Sequence, residues 1–101
     1  MIRSLLVLAA VSFVSCGAPS TIEGTKYKTE CAVPADCAAV FFGDQCRLCA
    51  CSNAAISSSD KVLYDADRSA AIATCGAQPA VACSPCQDRV LTCTAGVCGL
   101  Q

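Results

Sequence analysis

The chain has 101 residues, room for one modest domain, and it contains 11 cysteines, no histidine and no tryptophan. Cysteine at about a tenth of a short chain marks a disulfide scaffold. Lys and Arg number 7 against 8 Asp and Glu, so no basic surface speaks for nucleic acid or an anionic membrane, and without histidine the usual Ser and Cys triads lack their base.

At the N-terminus, Arg3 gives a short positive start and Leu5-Leu6-Val7-Leu8-Ala9-Ala10-Val11 follows as an apolar run. The run fits a signal-peptide core and falls well short of the about 20 apolar residues a membrane span needs. Phe13-Val14-Ser15-Cys16-Gly17 resembles the lipobox of bacterial lipoproteins, in which apolar and small residues precede an invariant cysteine. That resemblance implies removal of residues 1–15 and lipidation of Cys16. Phe13 stands where such motifs usually carry Leu, and the competing cut after Ala18 would leave Pro19 directly behind it. Parity argues the same way: an odd cysteine in an exported chain needs an explanation, and using Cys16 as a thioether leaves ten. Gly17 rather than Asp after the anchor implies, by the same resemblance, the outer membrane if the cell is Gram-negative.

Residues 16–30 carry no periodicity and no cysteine besides Cys16, and read as a lipid-anchored flexible tether. The alternative is a first strand around residues 25–29. The folded unit is then expected at 31–101. At that size one apolar core supplies about 3–5 kcal/mol at most, and covalent staples supply the rest. Cys31, Cys37, Cys46, Cys49, Cys51, Cys75, Cys83, Cys86, Cys93 and Cys98 are the expected disulfide residues, in a connectivity the spacing leaves open.

Ala38-Ala39-Val40-Phe41-Phe42, ending at Gly43-Asp44, predicts a buried strand. Ser57, Ser58 and Ser59 offer helix N-caps, Asp60 sits in the first turn and Gly76 follows as a stop, which predicts a helix between them. Val62, Leu63, Ala66, Ala70 and Ala73 share one helical face and predict its packing side, with Lys61, Asp65 and Arg68 opposite and Ile72 out of pattern. Val90-Leu91-Thr92-Cys93-Thr94 and Val97-Cys98-Gly99-Leu100 flank Ala95-Gly96, which predicts a hairpin with Cys93 and Cys98 opposite one another. They either bridge each other or both point into the core toward other partners; we take the second.

Cys46-x-x-Cys49 and Cys83-x-x-Cys86 have the spacing of structural zinc ligands, but export favours disulfides. Cys83-Ser-Pro-Cys86 also has redox-motif spacing, yet no βαβ unit surrounds it to lower a thiol pKa. Asp60, Asp65 and Asp67 share the helix, and Asp36 and Asp44 flank the first strand. Structural roles are expected for them: Asp60 at the helix start, Asp65 paired with Lys61 or Arg68, Asp44 in a turn. Tyr64, Phe41 and Phe42 are expected in the core, and the sequence calls for no cofactor.

Cys37-Ala-Ala-Val-Phe-Phe-Gly-Asp-Gln-Cys46-Arg-Leu-Cys49-Ala-Cys51, with Asn53-Ala54-Ala55-Ile56, Tyr64-x-x-Asp67-Arg68 and the ending Cys83-x-x-Cys86 … Cys93-x-Ala-Gly-x-Cys98, resembles a group of cysteine-rich lipoproteins of myxobacteria and related bacteria. The resemblance brings no activity with it. The expected fold is a small disulfide-rich α+β domain, a short antiparallel sheet with one packed helix. The expected role is a non-catalytic envelope protein, held to the membrane by its lipid, that binds another protein or a surface polymer or serves structurally. An inhibitor or toxin-like module using the 31–37 loop, and a thiol–disulfide enzyme using Cys83 and Cys86, are the alternatives.

Overall fold

The computed structural model describes residues 19–101; the signal-peptide and Cys16 expectations lie outside them. Among the described residues the chain runs β1 (Thr21–Ile22), β2 (Cys37–Val40), β3 (Gly43–Asp44), β4 (Ala54–Ser57), α1 (Lys61–Ala73), β5 (Leu91–Thr94) and β6 (Val97–Leu100). The strands pair antiparallel as three ladders, β1 with β3, β2 with β4 and β5 with β6. This is a small disulfide-rich α+β domain, with three short ladders in place of one sheet.

The β2–β4 ladder is the middle layer. Its side chains alternate between two faces, with Cys37 opposite Ser57 and Val40 opposite Ala54. Val40 and Ile56 bury against Ile22, Tyr27, Tyr64 and Ala71, which belong to the N-terminal segment and α1. Cys37 and Ala55 bury on the other face against Cys98, with Leu91, Leu100 and Cys31 packed alongside. The helix and the hairpin therefore cover opposite faces of one ladder. Each cluster is small, so the apolar contribution is modest and the cross-links matter.

The expected strand at 38–42 forms, but it starts at Cys37 and ends at Val40. It stops there because the next backbone unit is taken: the Tyr64 hydroxyl accepts from the Phe41 N–H at 3.1 Å and donates to the Phe41 carbonyl at 2.7 Å. Asn53 does the same for Phe42, both bonds being 2.9 Å.

The helix forms where expected, after a single 3-10 turn at Ser58–Asp60. Gly76 adopts φ +69°, the left-handed conformation that ends a helix without a Cβ penalty. Its packing face is a correction. Tyr64 and Ala71 are its buried residues, whereas Val62 is 79% exposed, Leu63 41% exposed, and Ala66, Ala70 and Ala73 are exposed. The stripe at 64, 67 and 71 faces the core, and the aliphatic face expected there points to solvent.

The tether is a second correction. Thr21 and Ile22 pair with β3, and Ile22 and Tyr27 belong to the core. The Tyr27 ring packs against both the Phe42 and Tyr64 rings, at centroid distances of 5.9 and 5.7 Å. Gly24 permits this packing, because a Cβ there would lie 2.9 Å from the Phe42 ring. The fold thus includes residues about ten positions before Cys31.

The hairpin matches its expectation, with Cys93 opposite Cys98. Ala95 and Gly96 have φ of 52° and 76°, the two positive angles of a type I′ turn.

Candidate functional site

All ten cysteines of the described residues are paired: Cys31 with Cys93, Cys37 with Cys98, Cys46 with Cys75, Cys49 with Cys83 and Cys51 with Cys86. Their Cα separations of 5.4 to 6.0 Å suit the bond. The two groups of bridges do different things.

Cys31–Cys93 and Cys37–Cys98 hold the 31–37 loop to the hairpin. The cross-strand neighbours Cys93 and Cys98 do not bridge each other but bond to the two ends of that loop, Cys98 from within the core. Cys31 does not close the loop onto Cys37 directly. Residues 32–35 between the anchors are exposed, with Val33 at 51%. Asp36 braces the loop from inside, its carboxylate accepting from the Ala32 N–H at 2.9 Å and the Val33 N–H at 3.2 Å. These two hydrogen bonds hold the Asp36 carboxyl below the usual aspartate range. Pro34 opens the 3-10 turn at Pro34–Asp36, where its missing N–H costs nothing. The result is an apolar tip of Ala32, Val33, Pro34 and Ala35 on a backbone fixed at both ends and in the middle.

The other three bridges clamp the 77–90 segment. This stretch has no helix or strand, and every residue in it is exposed. Cys46–Cys75 ties the turn after β3 to the end of α1, and the bridges from Cys83 and Cys86 reach back to Cys49 and Cys51. Cys83 and Cys86 are therefore not bonded to each other. A thiol–disulfide enzyme cycles between the dithiol and the disulfide of one CxxC pair, and this framework assigns the two sulfurs to separate bridges.

The Cys31, Cys37 and Cys98 sulfurs lie within 4.8 Å of one another. Two neighbouring disulfides produce that cluster, and a disulfide sulfur is not the thiolate that binds zinc.

The carboxylates are spent on structure. Asp60 accepts from the Lys28 N–H at 2.7 Å and Asp44 from the Cys46 N–H at 2.9 Å. Asp65 pairs with Lys61, as expected from their spacing. Asp67 accepts from the Tyr27 hydroxyl at 2.6 Å and from Lys26 at 2.9 Å. That arrangement lowers the Asp67 pKa, first through the Tyr27 bond and then through Lys26, and Tyr27 is raised, by burial first and the Asp67 bond second. Sequence reasoning missed this trio, because no local pattern links residues 26, 27 and 67. It borders a shallow groove of about 500 Å³ whose walls include Pro19, Ile22, Thr25 and Ala70.

Scans of the chain against family models, curated proteins and solved structures give no match.

Proposed function

We propose that the protein is exported, lipid-anchored at Cys16 and non-catalytic, and that it binds a partner in the cell envelope through the 31–37 loop. The observation that carries this reading is the loop itself. An exposed apolar tip pinned by two disulfides and an internal carboxylate loses little conformational freedom on binding, which is where pre-organised contacts gain affinity. Disulfides persist in oxidising compartments, and the export signal and lipobox resemblance agree with that setting. The resemblance to cysteine-rich lipoproteins of myxobacteria points the same way, with the outer membrane as the favoured site in a Gram-negative cell. A substrate-like protease inhibitor is less well supported. Such a loop presents extended backbone, whereas here Val33 is extended and Pro34–Asp36 turns.

Two measurements test the reading. Intact mass of the exported protein, with and without reduction and alkylation, should show ten thiols only after reduction and lipid mass at Cys16. Crosslinking in envelope preparations should yield an adduct that Val33→Asp abolishes and Val90→Asp, an exposed change outside the loop, leaves intact. An adduct insensitive to both changes would refute the loop as the contact.

A further inference from the structure

The apolar face of α1 that the core does not use lies beside the point where the chain leaves the fold toward Cys16. Val62, Leu63, Ala66, Ala70 and Ala73 are all exposed, and the residue completing this face, Ser69, is uncharged. At 1.5 Å per residue the 13-residue helix makes this strip about 20 Å long. Pro19 and Ala70 line the same groove, so the entering chain lies beside the C-terminal half of the strip. Three Cα–Cα steps separate Cys16 from Pro19, a reach of about 11 Å at most.

We propose that this face of α1 rests on the lipid surface, as an interfacial helix seated beside the anchor. The proposal rests on lipidation of Cys16, since that bond is what brings the bilayer within reach. With Thr21 already paired to β3, the short stretch back to Cys16 keeps the domain close to the headgroups. The surface nearest the anchor is then the one that meets the membrane; it carries the apolar strip, bordered in the groove by Glu23 and the paired Lys26 and Asp67. An amphipathic helix lies in the interface plane with its apolar side about 5–10 Å into the headgroup boundary, and the strip has that character. The geometry also orients the rest of the molecule. The hairpin, on the opposite face of the β2–β4 ladder, turns toward the aqueous side, and the 31–37 loop is stapled to it.

The chain has no tryptophan, so one introduced indole reports its own surroundings. Val62→Trp is placed on the strip and Val97→Trp on the hairpin, in protein purified from membranes and reconstituted into phosphatidylethanolamine–phosphatidylglycerol vesicles with or without brominated acyl chains. Intact mass establishes lipidation separately. The expected result is a blue-shifted Val62→Trp emission, quenched by bromolipid about threefold more than Val97→Trp, as an interfacial position requires. Leu63→Trp repeats the reading should Val62→Trp fold poorly. Equal, weak quenching of the two in lipidated protein would overturn the proposal while leaving the anchor standing. A blue shift in vesicle-free detergent solution that grows with protein concentration would overturn it in favour of a second copy covering the strip. If the mass shows no lipid, the anchoring reading fails. The same indoles in protein coupled through the Cys16 thiol to maleimide lipid then decide the surface on its own.

Discussion

The Tyr64 hydroxyl satisfies both backbone groups of Phe41, accepting at 3.1 Å and donating at 2.7 Å. One side chain on the helix thereby ends a strand and fixes the helix against it. Tyr64→Phe keeps the ring and removes the oxygen. The Phe41 carbonyl retains a bond from Gln45 at 3.0 Å, but the N–H is orphaned, at a cost of about 1–3 kcal/mol. Tyr64→Ala also removes the ring packed against Tyr27 and Phe42 and should cost about 3–5 kcal/mol. Chemical denaturation with the disulfides intact will read both values.

Asp36 predicts a pH-dependent loop. Its folded pKa is depressed by the Ala32 and Val33 N–H groups, so its contribution is complete above the ordinary aspartate value of about 3.9 and is lost as pH falls through the lower folded value. Amide shifts of Ala32 and Val33 followed by NMR should hold steady down to about pH 4 and move together below it. Asp36→Asn should abolish that step. It should also raise the exchange rates of both amides at neutral pH.

The five bridges should separate into two classes when removed. Cys37→Ala with Cys98→Ala takes away a link in the packed side of the ladder and should cost about 2–5 kcal/mol. Removing Cys49–Cys83 and Cys51–Cys86 together should leave the thermal transition of the core nearly in place. That variant should instead be cut within residues 77–89 by limited proteolysis, mapped by mass, because between Cys46–Cys75 and the Val90–Gln101 backbone bonds those two bridges hold the exposed segment down.

Tyr27→Phe tests the Tyr27–Asp67–Lys26 trio. The Tyr27 hydroxyl is the main cause of the lowered Asp67 pKa, so the variant should move the Asp67 carboxyl up toward the ordinary value, followed by its carboxyl carbon shift. The acid side of the stability curve should shift with it. The depressed carboxyl gives stability that is present above about pH 4 and lost as pH falls, and Tyr27→Phe should shrink that acid-labile part.

How much the sequence discloses differs by element. Ala95-Gly96 between two alternating runs specifies the hairpin and its register locally, so Cys93 opposite Cys98 is legible. The helix is legible too, as Gly76 and the serines bracket it. Its orientation is not. Five aliphatic positions suggest the buried side, but Tyr64 alone brings a large ring and a hydroxyl that finds two backbone partners, and it outweighs three alanines. The N-terminal segment hides because its two anchors, Ile22 and Tyr27, are five residues apart and meet partners far along the chain. Ten cysteines allow roughly nine hundred pairings, so the framework is visible only in three dimensions. The 31–37 loop was legible as a candidate, but its brace was not, since nothing in the spacing assigns Asp36 to two amides.

The paired staples at the loop also close a covalent ring. It runs from Cys31 to Cys37, across a sulfur bridge to Cys98, back through the hairpin turn to Cys93, and across the other bridge to Cys31. A ring of that kind needs no core to keep its ends together. Heat or denaturant that melts the β2–β4 ladder leaves the apolar tip and the hairpin turn in one small macrocycle. What opens this ring is electron supply rather than temperature, because reduction of either bridge breaks it.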